Sequence, residues 1–188
     1  MANEQHFKLM NKAIAMHDIS IWNKWRQENP AIRPDLSGTD LRRADLKKAA
    51  LQGVIFKHAN LRGTDLSYAD LSGSDFNKAN LIRTHFNAAN LTDANFIGAD
   101  LSEANLSEAN LSGANFGNAF FLGALLLGAD LNKTNLEDNV KELSISQIRT
   151  AKNWESAYYC KGILENLGLP LDHNELLRKE VEEKKTME

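Results

Sequence analysis

Between residues 34 and 138 a leucine or phenylalanine returns at every fifth position without a slip. From Leu36 to Leu136 there are 21 such positions, 15 Leu and 6 Phe. Two places before each stands a small residue, with only Pro34 and Val54 larger, and the position between is Asp or Asn in 16 of the 21 units. The unit therefore reads A-(D/N)-L-x-x. A period of five fits neither common element. On an α-helix five residues turn the chain by about 500°, so successive leucines would march around the cylinder. On a straight strand an odd spacing would send them to opposite faces. A chain that bends inward through a corner every five residues does satisfy the pattern. Every Leu or Phe and every small residue then points to one axis, and the other three positions face water.

This register resembles that of the pentapeptide repeat family, whose members wind into a right-handed, square-sectioned β-helix with four repeats per coil. The resemblance covers 105 of 188 residues. It implies a mainly β solenoid of about five coils and about 25 Å, with residues twenty apart stacked at about 4.8 Å. In that register Phe56, Phe76, Phe96 and Phe116 form one aromatic column inside one wall, while Phe86 and Phe121 fall on other walls. Alanine opposite leucine leaves a filled interior, and no cofactor is expected.

Both flanks read as helical caps. In residues 1–33, Phe7, Met10 and Ile14 recur at helical spacing, as do Asp18, Ile19, Trp22 and Trp25, with Asp18 or Ser20 as N-cap and Asn29-Pro30 as the stop. A β-helix needs a cover there, because its first coil exposes an apolar interior and unpaired backbone groups. Trp22 and Trp25 are expected to plug it over Leu36 and Leu41. Residues 139–188 form the C-terminal segment, where Ser144 and Gln147 make a capping box. From there to Leu167, Ile148, Ala151, Trp154, Ala157, Tyr158 and Ile163 suggest a helical face; Asp172 and Glu175 start a last charged helix. Phe120, Leu122, Leu125 and Leu127 break the outward-polar rule in the last coil, and a bare patch of that kind calls for a cover. The C-terminal segment is expected to supply it, with a homodimer through this end as the alternative. The stretches WNKWRQENPAIRPDL (22–36) and QIRTAKNWESAYY (147–159) also look like the leader and C-terminal segment of pentapeptide repeat proteins abundant in cyanobacteria.

Outward positions sort by wall, since wall membership follows residue number modulo twenty. One wall carries Arg42, Arg43, Arg62 and Arg83, then turns acidic at Asp100 and Glu103. The next carries Lys47 and Lys48, then Tyr68, His85 and Glu108; a third is small and polar, with Gly53, Ser72, Gly73, Thr92, Ser112 and Gly113. The arginine stripe is the candidate partner-binding surface. Catalysis is not expected, because polar side chains spread over four outer walls instead of converging on one point. His58 and His85 fall on opposite walls and cannot share a metal, and no metal site is expected. No phosphate loop, G-x-G-x-x-G or G-x-S-x-G motif occurs. Stacked Asp45 and Asp65 are expected to be compensated by Lys47 and Lys48.

The resulting expectation is a rigid scaffold for an unidentified protein partner. The alternative, which the family resemblance suggests, is a DNA mimic that occupies the DNA-binding groove of a type II topoisomerase such as DNA gyrase. Duplex DNA of about 25 Å carries roughly 15 negative charges. Residues 34–138 carry 13 Asp+Glu and 9 Lys+Arg, a net of −4, and the stripe would face a basic groove. Direct nucleic-acid binding is not expected at a net charge of −3 for the whole chain. The single Cys160, the absence of a basic and apolar leader, and apolar runs too short to span a bilayer point to a cytoplasmic protein without membrane attachment.

Overall fold

The computed structural model describes residues 2–137 and 139–187. Its centre is a solenoid built from one local device repeated. In each unit the residue two after the central Leu or Phe has positive φ, at all twenty positions from Gly38 to Lys133. The small residue that follows donates its N–H back to the central carbonyl, as Ala44 does to Leu41 at 3.2 Å and Ala114 to Leu111 at 2.9 Å. That combination is a type II turn, which needs a left-handed residue at its third position. Glycine supplies eight of the twenty, and the other twelve are residues such as Arg43, Lys48, His58 and Tyr68. A non-glycine residue in this region costs roughly 1–2 kcal/mol, so packing and hydrogen bonds elsewhere must over-determine the corner.

The Asp or Asn of the repeat contributes to that. All 16 accept, through Oδ1, the N–H two residues on, at 2.8–3.3 Å. This Asx bond satisfies the one turn N–H that points along no neighbour, and it explains why the position prefers Asp and Asn over other polar residues.

Corners every five residues leave too little extended chain for long strands, so the sheet appears as isolated parallel bridges. They run from Asp35↔Ile55 to Asn115↔Asn135, always twenty residues apart. Each bridge has the same bonds: Leu41 N–H to the Asn60 carbonyl at 2.8 Å, Asn60 N–H back to the Thr39 carbonyl at 2.8 Å. The central side chains fill the axis. Phe56, Phe76, Phe96 and Phe116 stack with centroids 5.1, 4.9 and 4.7 Å apart and planes within 8°. Phe86 packs edge-on between Phe76 and Phe96, and Phe121 edge-on against Phe116. Four of the five hydroxyl-bearing small residues bond the coil below, Thr64, Ser74, Thr84 and Thr134 donating to the carbonyls of Leu41, Leu51, Leu61 and Leu111, while Thr39 in the first coil donates to the Leu36 carbonyl of its own turn.

Helices α1 (Glu4–Ala15) and α2 (Ser20–Glu28) lie at the N-terminal end. Met10, Ala13 and Trp22 are fully buried, and Trp25 is half-buried against Trp22 and His6. The side chains of α2 also bond the first coil's backbone. Trp22 Nε1 donates to the Ala50 carbonyl at 2.8 Å, Asn23 takes the Ala50 N–H at 2.8 Å, and Arg26 donates to the carbonyls of Ile32 and Gln52. Asp18 accepts the Ser20 N–H, but the N-cap position itself is Ile19.

The C-terminal segment departs from the expected long helix. Ser144 and Gln147 do form the capping box, on a helix α3 (Ile145–Arg149) of only five residues. A 3₁₀ turn (Trp154–Ser156) follows, and then a strand β2 (Tyr158–Tyr159) pairs in parallel with β1 (Asn135–Leu136). Residues 141–159 thus continue the ladder with longer steps, through Phe120↔Lys141 and Asp130↔Lys152. The physical reason is that an inward Ile148, Ala157 and Tyr159, all buried, close the open end of the last coil better than one straight helix crossing it. Helices α4 (Lys161–Leu167) and α5 (His173–Met187) pack behind, with Asn174 of α5 donating to Glu137 and to the Tyr159 carbonyl. Among the described residues no helix is long and apolar enough to cross a membrane.

Two outcomes follow from this packing. Phe96 loses two stacked partners and one edge-on partner when truncated, so Phe96→Ala should cost about 3–5 kcal/mol in urea denaturation, and a loss below about 1 kcal/mol would contradict the column. Burial raises the Asp35 and Asp65 carboxyls, but hydrogen bonds from Ser37 to the first, and from Ser67 and Lys47 to the second, outweigh it and leave both below the ordinary range. Lowered folded values stabilise above the unfolded value of about 3.9, and that contribution is lost as pH falls through the folded values. The denaturation midpoint should therefore hold from neutral pH to about 5 and fall below about 4, less steeply in Asp65→Asn.

Candidate partner-binding surface

The four arginines of the first wall differ in kind. Arg42 and Arg62 directly follow the central Leu41 and Leu61, whereas Arg43 and Arg83 occupy left-handed corners. Arg42 folds back on Asp40 with three contacts of 2.6–3.0 Å, and Asp40 also accepts the Arg42 backbone N–H. These bonds hold the Asp40 carboxyl below its ordinary range and raise the Arg42 guanidinium. Arg83 reaches one coil along to Glu103, at 2.8 and 3.2 Å, and holds that carboxyl down in the same way. Arg43 and Arg62 are exposed and have neither an ion pair nor a side-chain hydrogen bond.

These residues surround one shallow depression of about 590 Å³, lined by Asp40, Arg42, Arg43, Arg62, Gly63 and Arg83. Arg42 and Arg83 are ion-paired, Arg62 acts on Glu103 only at longer range, and Arg43 has no ion pair. Planar guanidiniums on a rigid backbone suit carboxylate or phosphate groups, which they grip with paired N–H donors. Nothing in the depression can serve as nucleophile or general base beyond an Asp40 already committed to Arg42. Sequence reasoning placed all four arginines on one wall but missed that Asp40 and Glu103 would take two of them. The signal was available, since Asp40 lies two before Arg42 and Glu103 lies twenty after Arg83.

Other candidate residues remain apart. Leu122, Leu125 and Leu127 are 55%, 54% and 63% exposed, so the C-terminal segment does not supply the expected cover. Phe120 alone is half-covered, by the Lys141 ammonium 4.4 Å from its ring centre. The segment crosses elsewhere because Gln147 ties α3 to the carbonyls of Phe121 and Ala124. Asp45 and Asp65 do stack as a parallel bridge, and Lys47 Nζ lies 3.0 Å from Asp65. Among the described residues no three His, Cys, Asp or Glu side chains gather at metal-binding distance.

Comparison with known proteins gives a consistent picture. The family described as pentapeptide repeats matches in eight copies over residues 35–67, 69–107 and 104–138. Among solved structures, HetL from the cyanobacterium Nostoc sp. strain PCC 7120, a pentapeptide repeat protein involved in heterocyst differentiation regulation, is 33% identical with a TM-score of 0.50. That match covers 62% of this chain and 57% of HetL, so the chain spans little more than half of that protein's length. The pentapeptide repeat protein alr5209, from Nostoc PCC 7120, is 27% identical over 69% of this chain and 92% of its own, with a TM-score of 0.36. The pentapeptide repeat protein AT2G44920 from the Arabidopsis thaliana thylakoid lumen is 30% identical over 56% and 70% of the two chains, with a TM-score of 0.24. No curated protein matches. The family match and the likeness to HetL imply the right-handed quadrilateral β-helix for the bridged solenoid described above. With its five-residue register unbroken, its parallel bridges twenty residues apart and the family match over most of residues 35–138, this chain belongs to the pentapeptide repeat family.

Proposed function

We propose that the protein is a non-enzymatic, rigid scaffold that holds another protein against its arginine wall. Pentapeptide repeat proteins are in general structural or interaction proteins. The single observation that carries the reading is the pair Arg43 and Arg62, two exposed guanidiniums without an ion pair or side-chain hydrogen bond, on a backbone that needs no reordering to bind. A partner would present carboxylates to them. The helices at both ends, about five coils and a cytoplasmic setting complete this picture, the last supported by the single Cys160.

Topoisomerase-directed DNA mimicry is the weaker reading. The repeat region carries a net of −4 against the roughly 15 negative charges of DNA of the same length, and its free cations lie on the wall a basic groove would have to meet. A homodimer would use Leu122, Leu125 and Leu127, whose exposure supports a contact there.

Affinity capture from the native cell extract should recover a partner with the wild-type chain and lose it with Arg43→Glu/Arg62→Glu. The same partners on both would remove the wall from consideration. DNA supercoiling by gyrase should be unaffected at micromolar protein, and inhibition would favour the mimic instead. Should the chain self-associate in sedimentation equilibrium, Leu122→Asp/Leu127→Asp should return it to the monomer.

A further inference from the structure

The first coil has no coil before it, and only part of its open edge is closed. On the wall of Leu36, Asp35 donates its N–H to His6 Nδ1 and accepts from the Asn3 N–H. On the wall of Leu51, α2 takes the Ala50 N–H and the carbonyls of Ala50 and Gln52. On the wall of Leu46 α2 reaches only the Lys48 carbonyl, through Asn23, and on the wall of Leu41 nothing does so. Among the described residues the N–H and carbonyl of Asp40, the carbonyl of Arg42, and the same three groups at Asp45 and Lys47 have no hydrogen-bond partner. One coil later the equivalent groups are all bonded, as Asn60 is to Thr39 and Leu41, and Arg62 to Arg43. Asp40 and Asp45 are exposed, whereas Asn60 and Asp65 above them are half-buried.

We infer that the wall of Leu41 accepts an extended, acidic segment of a partner protein as one further parallel strand. Resting on the scaffold reading above, this names the partner's chemistry and the way it is held. Two N–H groups of the incoming strand donate to the carbonyls of Asp40 and Arg42, and one of its carbonyls accepts the Asp40 N–H, as in every bridge of the solenoid. Its carboxylates then lie next to the unpaired Arg43, with Arg62 one coil further along the same depression. A second depression, lined by Ala2, Glu4, Phe7 and residues 37–40, adjoins the same edge and offers an apolar side chain a seat against Phe7. A second copy fits this edge less well than an acidic segment, because edge-to-edge pairing would bring the unpaired Arg43 and Lys48 of both copies together while Arg42 and Lys47 are already held by Asp40 and Asp65. Head-to-tail stacking is closed as well, since residues 141–159 cover the other end.

The test uses the full chain and a short fluorescent peptide of alternating glutamate and valine. Its counterpart carries the same charges with every amide N-methylated, so that it cannot donate. At physiological salt the first peptide should bind in fluorescence anisotropy, and both N-methylation and Arg43→Glu/Arg62→Glu should weaken it about tenfold or more. Amide exchange at Asp40 should slow when the peptide is added to wild type. Both variant positions are exposed and unpaired, so the thermal melt should be unchanged; the N-methylation arm needs no variant at all. Equal binding of the two peptides would overturn strand addition while leaving the scaffold reading intact, because charge alone would then hold the partner. No binding of either peptide would also overturn it, and the capture experiment tests the scaffold independently. A short DNA duplex binding as tightly as the peptide would overturn both, and slow Asp40 exchange in self-associated protein without peptide would assign the edge to a second copy.

Discussion

A corner that recurs every five residues is the constraint on which everything else in this molecule depends. It forces one residue in five into left-handed backbone, and twelve of those twenty residues are not glycine. The Asx bond below the corner and the coil-to-coil bonds on either side hold the backbone there. Because each corner repeats one coil later, strained geometry, hydrogen bonds and core side chains come back into register together. That agreement between levels makes a narrow solenoid with little conventional strand stable.

The same repetition creates the two problems a solenoid must solve at its ends. At the C-terminal end the chain solves them with a modified turn of itself, inserting Ile148, Ala157 and Tyr159 over the last coil. Burial there pushes the Tyr159 phenol upward, and its hydroxyl donates to the Trp154 carbonyl. At the N-terminal end Met10 and Trp22 cover the apolar axis. A buried Arg26 serves the backbone there with no carboxylate beside it, and burial lowers its guanidinium. Among the described residues the wall of Leu51 is closed, that of Leu36 is closed at Asp35, and those of Leu41 and Leu46 keep free backbone groups.

The axis is filled by buried Leu, Phe and Ala, so only the outer walls and the open edge present groups to a partner. The outer wall beside the open edge carries guanidiniums in two states, bound to Asp40 and Glu103 or unpaired at Arg43 and Arg62. Internal pairing sets the charge available to a partner more than the count of arginines does. A preformed wall of this kind binds without an ordering cost on its own side, and this favours recognition of a segment that must itself become extended.

The five-residue period was enough to place the axis, the Phe56–Phe116 column and the arginine wall, because one local rule repeated fixes where every side chain points. The same period explained neither the Asp/Asn preference nor the tolerance of left-handed lysines and arginines, which rest on a hydrogen bond visible only in the folded turn. Beyond the repeat, local patterns were weaker. The capping box at Ser144 was legible, but the residues after it read as helix when part of them extend the ladder, since spacing alone cannot tell a helical face from inward positions of an irregular coil. The exposure of Leu122, Leu125 and Leu127, the pairing that leaves Arg43 and Arg62 free, and the open edge at Asp40 belong to the tertiary structure alone. Each depends on which distant segment comes to rest against a wall, and no local period encodes that.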